Sequence, residues 1–416
     1  MKMQSSVFSR LSPENWPFSL EWLPQPAYMV GGAVRDAIIG RSREYLDLDF
    51  IIPSDAVKVA RKIAQHYQAG FVLLDKERRI ARVVFPQATA DFAQQEGESL
   101  ITDLHRRDFT INAIAYNPHT QEIIDPLQGC ADIDLGLLRM ISSANLQDDP
   151  LRLMRGYRQA AQLGFTIESA TQAAIRSLAP YITQVAAERV RVEIGYLLGS
   201  YQGTAKITNA WEDGLLASFF KNANRESLIK LAAVDKAATL LTENWPQLGI
   251  ELQRYVRDTI KTSWFGIAKL ACLVHPNPEI AEIELQQLTY SRAEIRAVAI
   301  ALKLFPQFKK TNMSLREQYC LFQEVGIVFT ATAALALAHD APVDAIAPLI
   351  SRYLNPDDLV AHTTPLVSGK DLIIALNIPP SPMVGKMLTE IAVAQVEGRI
   401  GTVEDAIAFA RGLVEN

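Results

Sequence analysis

Cysteine is scarce in this chain, and its three copies, Cys130, Cys272 and Cys320, lie far apart. They form no metal-binding spacing and no plausible disulfide framework, which suits a reducing compartment. Excess charge of either sign is also missing, with a formal net charge of −5 over 416 residues. A chain so balanced is not a nucleic-acid-wrapping polycation. Contact with RNA has to come from local basic patches, and these lie in the middle of the chain. A continuous apolar run of the ~18 residues that cross a bilayer is lacking. The opening residues, MKMQSSVFSRLSPENWPF, carry no apolar core of the signal-peptide kind. A cytoplasmic protein without membrane contact is the expectation. The ordinary remainder, 49% hydrophobic and 21% charged, describes a globular chain too long for one core.

What is present is organised around Tyr28 to Ile52, YMVGGAVRDAIIGRSREYLDLDFII. It reads as a strand, a Gly31-Gly32 turn, a short helix stopped by Gly40, and a second strand that carries Asp47 and Asp49. Residues two apart on a strand share a face, so the two carboxylates come within reach of one divalent ion. Mg²⁺ accepts such oxygens while keeping positions open for water and phosphate. The glycines let backbone N–H groups approach a phosphate at a helix N-terminus. Alone, a Gly-Gly pair is usually a turn and an Asp-x-Asp usually a solvated strand end. Both lie here in one strand–turn–helix–strand unit, in the order that phosphoryl transfer requires.

The chain continues with a helix capped by Ser54, a hairpin turning at Asp75 to Arg78, and a strand presenting Asp91 as a candidate third carboxylate. A helix begins at Ser99 and brings Arg106 and Arg107 near enough to neutralise a triphosphate. After Asp125-Pro126 and Gly129, a final strand is expected to close an α/β head near residue 142. Helices follow one another from Asn145 onward. In LQDDPLRLMRGYRQAAQLGF, Asp148 and Asp149 are expected in the first helical turn, with Arg152, Arg155 and Arg158 as a basic stripe. The next helix is expected to pair Glu188 with Arg191 and Arg189 with Glu193. Lys309, Lys310 and Arg316 form a small basic cluster whose ordinary reading is plain surface. His339-Asp340 is an isolated pair without the further ligands of a metal phosphohydrolase. The tail reads as two helices joined through IPPSPMVG.

Two metals at the carboxylates would activate an attacking hydroxyl and stabilise a leaving pyrophosphate, while arginines neutralise the phosphates. Asp149 and Arg152 suggest a choice of base. A carboxylate accepts from the exocyclic amino group of cytosine or adenine, and a guanidinium donates to a ring nitrogen or carbonyl. Uracil and guanine would turn a carbonyl oxygen toward the carboxylate, leaving buried polar groups unpaired.

These motifs, taken together, resemble the class II tRNA nucleotidyltransferases, the CCA-adding enzymes and bacterial poly(A) polymerases. The matches are GGAVRD…DLDF, RRDFTINA, DPLQGCADI, DDPLRLMRGYRQAAQLGF and AAERVRVEI, in the family's order over the first half of the chain. The resemblance implies an α+β fold, a polymerase-β-like nucleotidyltransferase head followed by an all-helical neck, body and tail. On this chain the segments would be 1–143, 144–204, 205–345 and 346–416. It implies catalytic carboxylates at Asp47 and Asp49 with Mg²⁺ bound to both, and Asp91 stays beside them as the candidate third carboxylate that the strand reading offers. It implies Gly31, Gly32, Arg35, Arg106 and Arg107 on the triphosphate. Asp149 and Arg152 would read the base, assisted by Arg155 and Arg158. The implied substrates are CTP, ATP and the 3′ acceptor end of tRNA, held along body and tail by its backbone and shape.

The implied activity is untemplated addition of CCA to tRNA. The sequence departs from the family pattern in two places. The base-reading motif usually opens Glu-Asp and here opens Asp148-Asp149. Only 14 residues separate Asp91 from Arg106, where many full CCA-adding members carry a longer flexible loop associated with the switch from C to A. That shortness makes CC-only addition, beside a separate A-adding enzyme, the alternative. Poly(A) synthesis lacks a longer basic tail, and a non-catalytic RNA-binding module sits poorly with intact Asp47 and Asp49.

Overall fold

The computed structural model describes residues 2–41, 45–257 and 260–415, which pack as two compact units. The first comprises residues 1–190 and 209–215, the second residues 191–208 and 216–416. The expected head and most of the expected neck therefore share one unit.

The first unit is built on a seven-stranded sheet with β1 (Tyr28–Val30), β2 (Leu46–Ile52), β3 (Gly70–Asp75), β4 (Ile80–Phe85), β5 (Ala88–Gln94), β6 (Ala115–Asn117) and β7 (Glu122–Ile124). The spatial order is β3-β4-β5-β2-β1-β6-β7, and within it only β2 and β5 run parallel. Strand alternation gives the sheet two unlike faces. On one, Phe50 and Phe92 are register partners and stack at 5.4 Å. Trp16 and Phe18 from the N-terminal lead-in pack edge-on against Phe50 and hold that lead-in to the sheet. On the other face stand Val30, Asp49, Asp91 and Arg82 in one row across β1, β2, β5 and β4.

Helices α1 (Lys2–Leu11), α2 (Gly32–Ile39), α3 (Ala56–His66) and α4 (Leu100–His105) follow the chain order. The cap of α3 is Asp55 rather than the expected Ser54, and its carboxylate accepts from the Lys58 amide. Ser99 caps α4 as expected. Leu100 and Leu104 of α4 are buried with Val30, Ile51, Ala113 and Ala115, which fixes the end of α4 over the acidic row.

The expected final strand is a helix, α5 (Gly129–Asp134). The Asp125 carboxylate accepts from the amides of Gly129 and Cys130 and so satisfies the start of that helix. The strand that follows, Leu137–Leu138, pairs with Thr166–Ile167 outside the main sheet. Asp148 and Asp149 do not begin a long helix either. Helix α6 (Ser143–Asp148) ends, Asp149 is extended (φ −133°, ψ 92°), and α7 (Leu151–Leu163) starts after Pro150. A residue before proline is driven out of the helical region, which breaks the run at Asp149.

The second unit is helical, apart from a hairpin of Tyr255–Arg257 with Ile260–Ser263. The long helix Arg225–Asn244 packs on Trp264–Leu273 and Phe329–Ala338. The expectation that nothing is apolar enough for a bilayer needs one correction. Leu315–Ala338 reaches the length and mean hydropathy of a span, but 67% of its apolar window is buried inside the protein, as in a core helix. The basic cluster is engaged locally, Lys310 with Glu317 (3.3 Å) and Arg316 with Glu390 (3.0 Å). The tail holds three helices rather than two, Gly369–Leu376, Pro382–Val396 and Val403–Glu415, around Leu372, Met387, Ile391 and Ala406.

Candidate active site

The turn between β1 and α2 brings the backbone against the acids of β2. Gly31 has φ +73° and ψ −141°, and a Cβ there would lie 3.0 Å from Asp49 Oδ2. Only glycine fits without strain. Gly32 is already helical, and its Cβ would meet nothing closer than the Arg35 guanidinium at 3.5 Å.

Asp47 and Asp49 share the face that the sequence predicts. Thr89, the register partner of Asp47 on β5, donates its hydroxyl to Asp47 Oδ1 at 2.7 Å and fixes that carboxylate. Burial pushes the Asp49 carboxyl up to about 7, reinforced by the charges of Asp47 and Asp91, while Arg107 and Arg82 oppose the shift. A carboxylate held among like charges is stabilised by a cation. Among the described residues no group of three or more acidic, histidine or cysteine side chains is placed to hold a metal ion. The neighbouring carboxylates of Asp47 and Asp49, two apart on β2, could supply two oxygen donors. A pair of hard oxygens suits Mg²⁺, which completes its octahedron with water and phosphate. Asp91 lies in register with Asp49, but both its oxygens are taken by Arg82, at 2.6 and 2.7 Å.

The expected arginines divide sharply. Arg35 is buried. Its guanidinium donates to Asp36 (2.7 and 2.9 Å) and Asn112 (2.7 Å), with Gln159 at 3.5 Å, tying α2 to α7. Arg155 is partly exposed, and it donates to the buried Asp108 at 2.9 Å. Burial alone would raise the Asp108 carboxyl, but Arg155, Asn112 and the Phe109 amide bring it down to about 2. Arg158 donates to Gln162 of its own helix at 2.8 Å.

Arg107 is held loosely, 3.6 Å from Asp103 and 3.5 Å from the Asn112 carbonyl, and its buried Nε has no partner. A Cβ on Gly31 would be 3.7 Å from its Nη1, so this guanidinium stands beside the glycine turn and Asp49 with donors to spare. Arg106 is exposed and bonded to Glu96 at 3.1 Å.

A cleft of about 350 Å³ opens beside these groups, lined by Arg106, Arg107, Asp149, Arg152, Arg155 and Arg189 among others. Its polar walls suit a nucleotide. Being extended, Asp149 turns its carboxylate toward Arg189 at 3.3 Å. Arg189 was expected to pair with Glu193, and Arg191 with Glu188. Arg191 instead lies 3.7 Å from Glu294. Arg152 donates to the carbonyls of Arg106 (2.8 Å) and Asn145 (3.0 Å), which ties α7 to the Arg106 segment.

Sequence reasoning missed Thr89, Arg82, Asp103 and Arg189. Thr89, Arg82 and Asp103 sit in no motif, and Arg189, although inside AAERVRVEI, reads there only as a helix partner of Glu193. Their importance comes from cross-strand register and helix packing, and only the acid pattern of β2 hinted that a partner strand would lie beside it.

Three family models match stretches of the chain. Residues 27–139 match the family described as "Poly A polymerase head domain". Residues 164–226 match "Probable RNA and SrmB- binding site of polymerase A", and residues 259–410 match "tRNA nucleotidyltransferase domain 2 putative". A CC-adding tRNA nucleotidyltransferase of Synechocystis sp. is 48% identical over 402 residues, covering 95% of this chain and 96% of that one. A solved CCA-adding enzyme complexed with ATP shares the fold with a TM-score of 0.71 at 20% identity, covering 94% of this chain and 91% of the other. The Thermotoga maritima CCA-adding enzyme complexed with tRNA gives 0.67 at 21% identity over 94% and 91%. The α+β head, the helical remainder and the match over nearly the whole chain agree: the chain belongs to the class II tRNA nucleotidyltransferase and poly(A) polymerase family.

Proposed function

We propose that this tRNA nucleotidyltransferase adds two cytidylates from CTP to the 3′ end of tRNA and leaves the terminal A to a separate enzyme. The observation that carries the proposal is the segment between Asp91 and Arg106. It is short, and it is tied down at its middle. The Glu96 amide donates to Asp103 at 2.8 Å, and the Glu96 carboxylate holds Arg106 at 3.1 Å. A segment so anchored has little length left for the flexible loop associated with A addition. The CC-adding name of the Synechocystis relative supports the same reading.

In this reading Asp47 and Asp49 hold Mg²⁺, fixed in part by Thr89. The ion supplies Lewis-acid activation of the attacking hydroxyl and charge neutralisation at the phosphates. Arg107 takes the triphosphate with its unpaired donors, assisted by the exposed Arg106. The Gly31-Gly32 turn leaves room for phosphate at the start of α2. Asp149 accepts from the cytosine amino group and Arg152 donates to the ring, so UTP is rejected by an unpaired carbonyl. Arg35 and Arg155 act from behind, by fixing α2 and α7. The helical second unit holds the tRNA.

Full CCA addition is the second reading, because the Asp149 and Arg152 pair suits the adenine edge as well. Purified protein, tRNA ending at the discriminator base and single labelled nucleotides separate the two. Two C residues from CTP, with no A added when ATP is also present, is the expected result. Addition of A after two C establishes the CCA reading, long A tracts establish polyadenylation, and no incorporation refutes the enzymatic assignment.

A further inference from the structure

Asp91 poses a problem that the family reading leaves open. It stands in register beside Asp49, where a third oxygen donor for a cation belongs. Arg82 faces it from β4 and takes both oxygens, Nε on Oδ1 at 2.6 Å and Nη2 on Oδ2 at 2.7 Å. The side chains are 36% and 16% exposed, so the pair stands at the edge of the site rather than in the core. On the same face, the next register pair, Ile80 and Ala93, lines the cleft with Arg107 and Arg152.

We propose that Arg82 is a positioning residue that sets the cation occupancy of the head. By holding Asp91 it limits the nucleotide-free protein to one divalent-ion site, Asp47 with Asp49. Asp91 is released when Arg82 exchanges the carboxylate for phosphate oxygens of the incoming nucleotide. The exchange is chemically matched, since a guanidinium fork accepts carboxylate and phosphate in the same two-point geometry. Holding the third acid on Arg82 also spares the empty site an unpaired charge beside Asp49. The inference rests on the nucleotidyltransferase reading for its ligand, but not on how many nucleotides are added.

The test is Mn²⁺ binding to the full-length, nucleotide-free protein, counted by the free-ion electron paramagnetic resonance signal. Wild-type protein is expected to bind one ion. Arg82→Gln frees Asp91 and should bind Mn²⁺ roughly tenfold tighter, or take a second ion, because a further carboxylate joins the donor set. Arg82→Lys keeps the charge and gives up the fork, so it should tighten binding several-fold too. A gain in Arg82→Gln that is absent from Arg82→Lys is a plain charge effect and overturns the proposal. In the Arg82→Gln, Asp91→Asn double variant the gain should vanish, and its persistence would overturn the proposal equally.

Asp91→Asn alone needs no repacking and should leave the affinity for the first ion within about twofold of wild type. A loss of tenfold or more would mean that Asp91 is already a ligand, and the proposal falls even if the Arg82 variants do not fold. Wild-type protein that binds no Mn²⁺ refutes the metal assignment at Asp47 and Asp49 itself. Binding that Arg82 does not alter refutes only the role given to Arg82.

Discussion

The matched substitutions Gly31→Ala and Gly32→Ala test how the glycine turn works. The two glycines are neighbours in sequence and look equivalent in the motif. In the structure they differ in kind. Gly31 sits at φ +73°, and a methyl group there would come within 3.0 Å of Asp49 Oδ2. Gly32 is helical, and its methyl group would rest at ordinary contact distance from Arg35. Forcing alanine into a conformation reserved for glycine costs roughly 1–3 kcal/mol. For a unit of this size that lowers Tm by about 2–4 °C per kcal/mol, so Gly31→Ala should melt roughly 2–12 °C below wild type. Gly32→Ala should melt at or slightly above wild type, because alanine favours the helix. Melting is followed by calorimetry without nucleotide, so that a methyl group obstructing a ligand at position 32 does not enter the comparison. Activity separates them again. The contact pushes the Asp49 carboxylate aside by a fraction of an ångström, so turnover should fall several-fold, short of the roughly 100-fold that a 1 Å misplacement costs. Equal melting points for the two variants would refute the geometry, as would wild-type turnover in Gly31→Ala.

Asp49→Asn should stabilise the metal-free protein while abolishing turnover. The Asp49 carboxyl is pushed up to about 7 in the fold, so its own contribution to stability is greatest below about pH 4 and is lost as pH rises through 7. At pH 8 in chelator the variant should exceed wild type by at most about 4 kcal/mol, with the gap closing toward pH 4. An unchanged gap across that range in chemical denaturation would refute the burial of the charge. Arg155→Gln should cost about 2–3 kcal/mol at pH 7, the low end for a buried pair because Arg155 is partly exposed. Asp108 is held down at about 2, so its contribution is present above about 4 and lost as pH falls toward 2. The deficit of the variant should therefore fade in acid, and a deficit that stayed constant from pH 7 to pH 2.5 would show that Arg155 acts by packing alone.

Much of the fold was legible because its signals are local. Gly40 and Gly164 do stop helices, in left-handed conformations, and Ser99 does cap one. The failures were local signals overruled by neighbours. Ser54 is a good capping residue, but the adjacent Asp55 takes the role. The stretch after Gly129 alternates well enough for a strand, yet Asp125 reaches forward to start a helix there. At Asp148-Asp149-Pro150 the sequence rule for proline at a helix start met the rule for the residue before proline, and the second decided the backbone. That outcome matters to function, since an extended Asp149 reaches Arg189 across the cleft.

The arginines carry the sharper lesson about the site. Arg35 lies in the motif itself, one turn from the glycines, and sequence assigns it to the triphosphate. The structure spends its guanidinium on Asp36 and Asn112. Arg82 lies in a hairpin with no motif at all, and it holds the third acid of the row. Spacing along one strand told which acids share a face, because that depends on two residues only. Which guanidinium meets which acid depends on the register of three strands and on the docking of α4 and α7, and no window of sequence contains that information. The family motif therefore marks where the chain turns and which acids line up. Pairing across the sheet then decides which arginines remain free for a ligand, and Arg107, loosely held with its Nη1 beside the Gly31 turn, is left with donors to give.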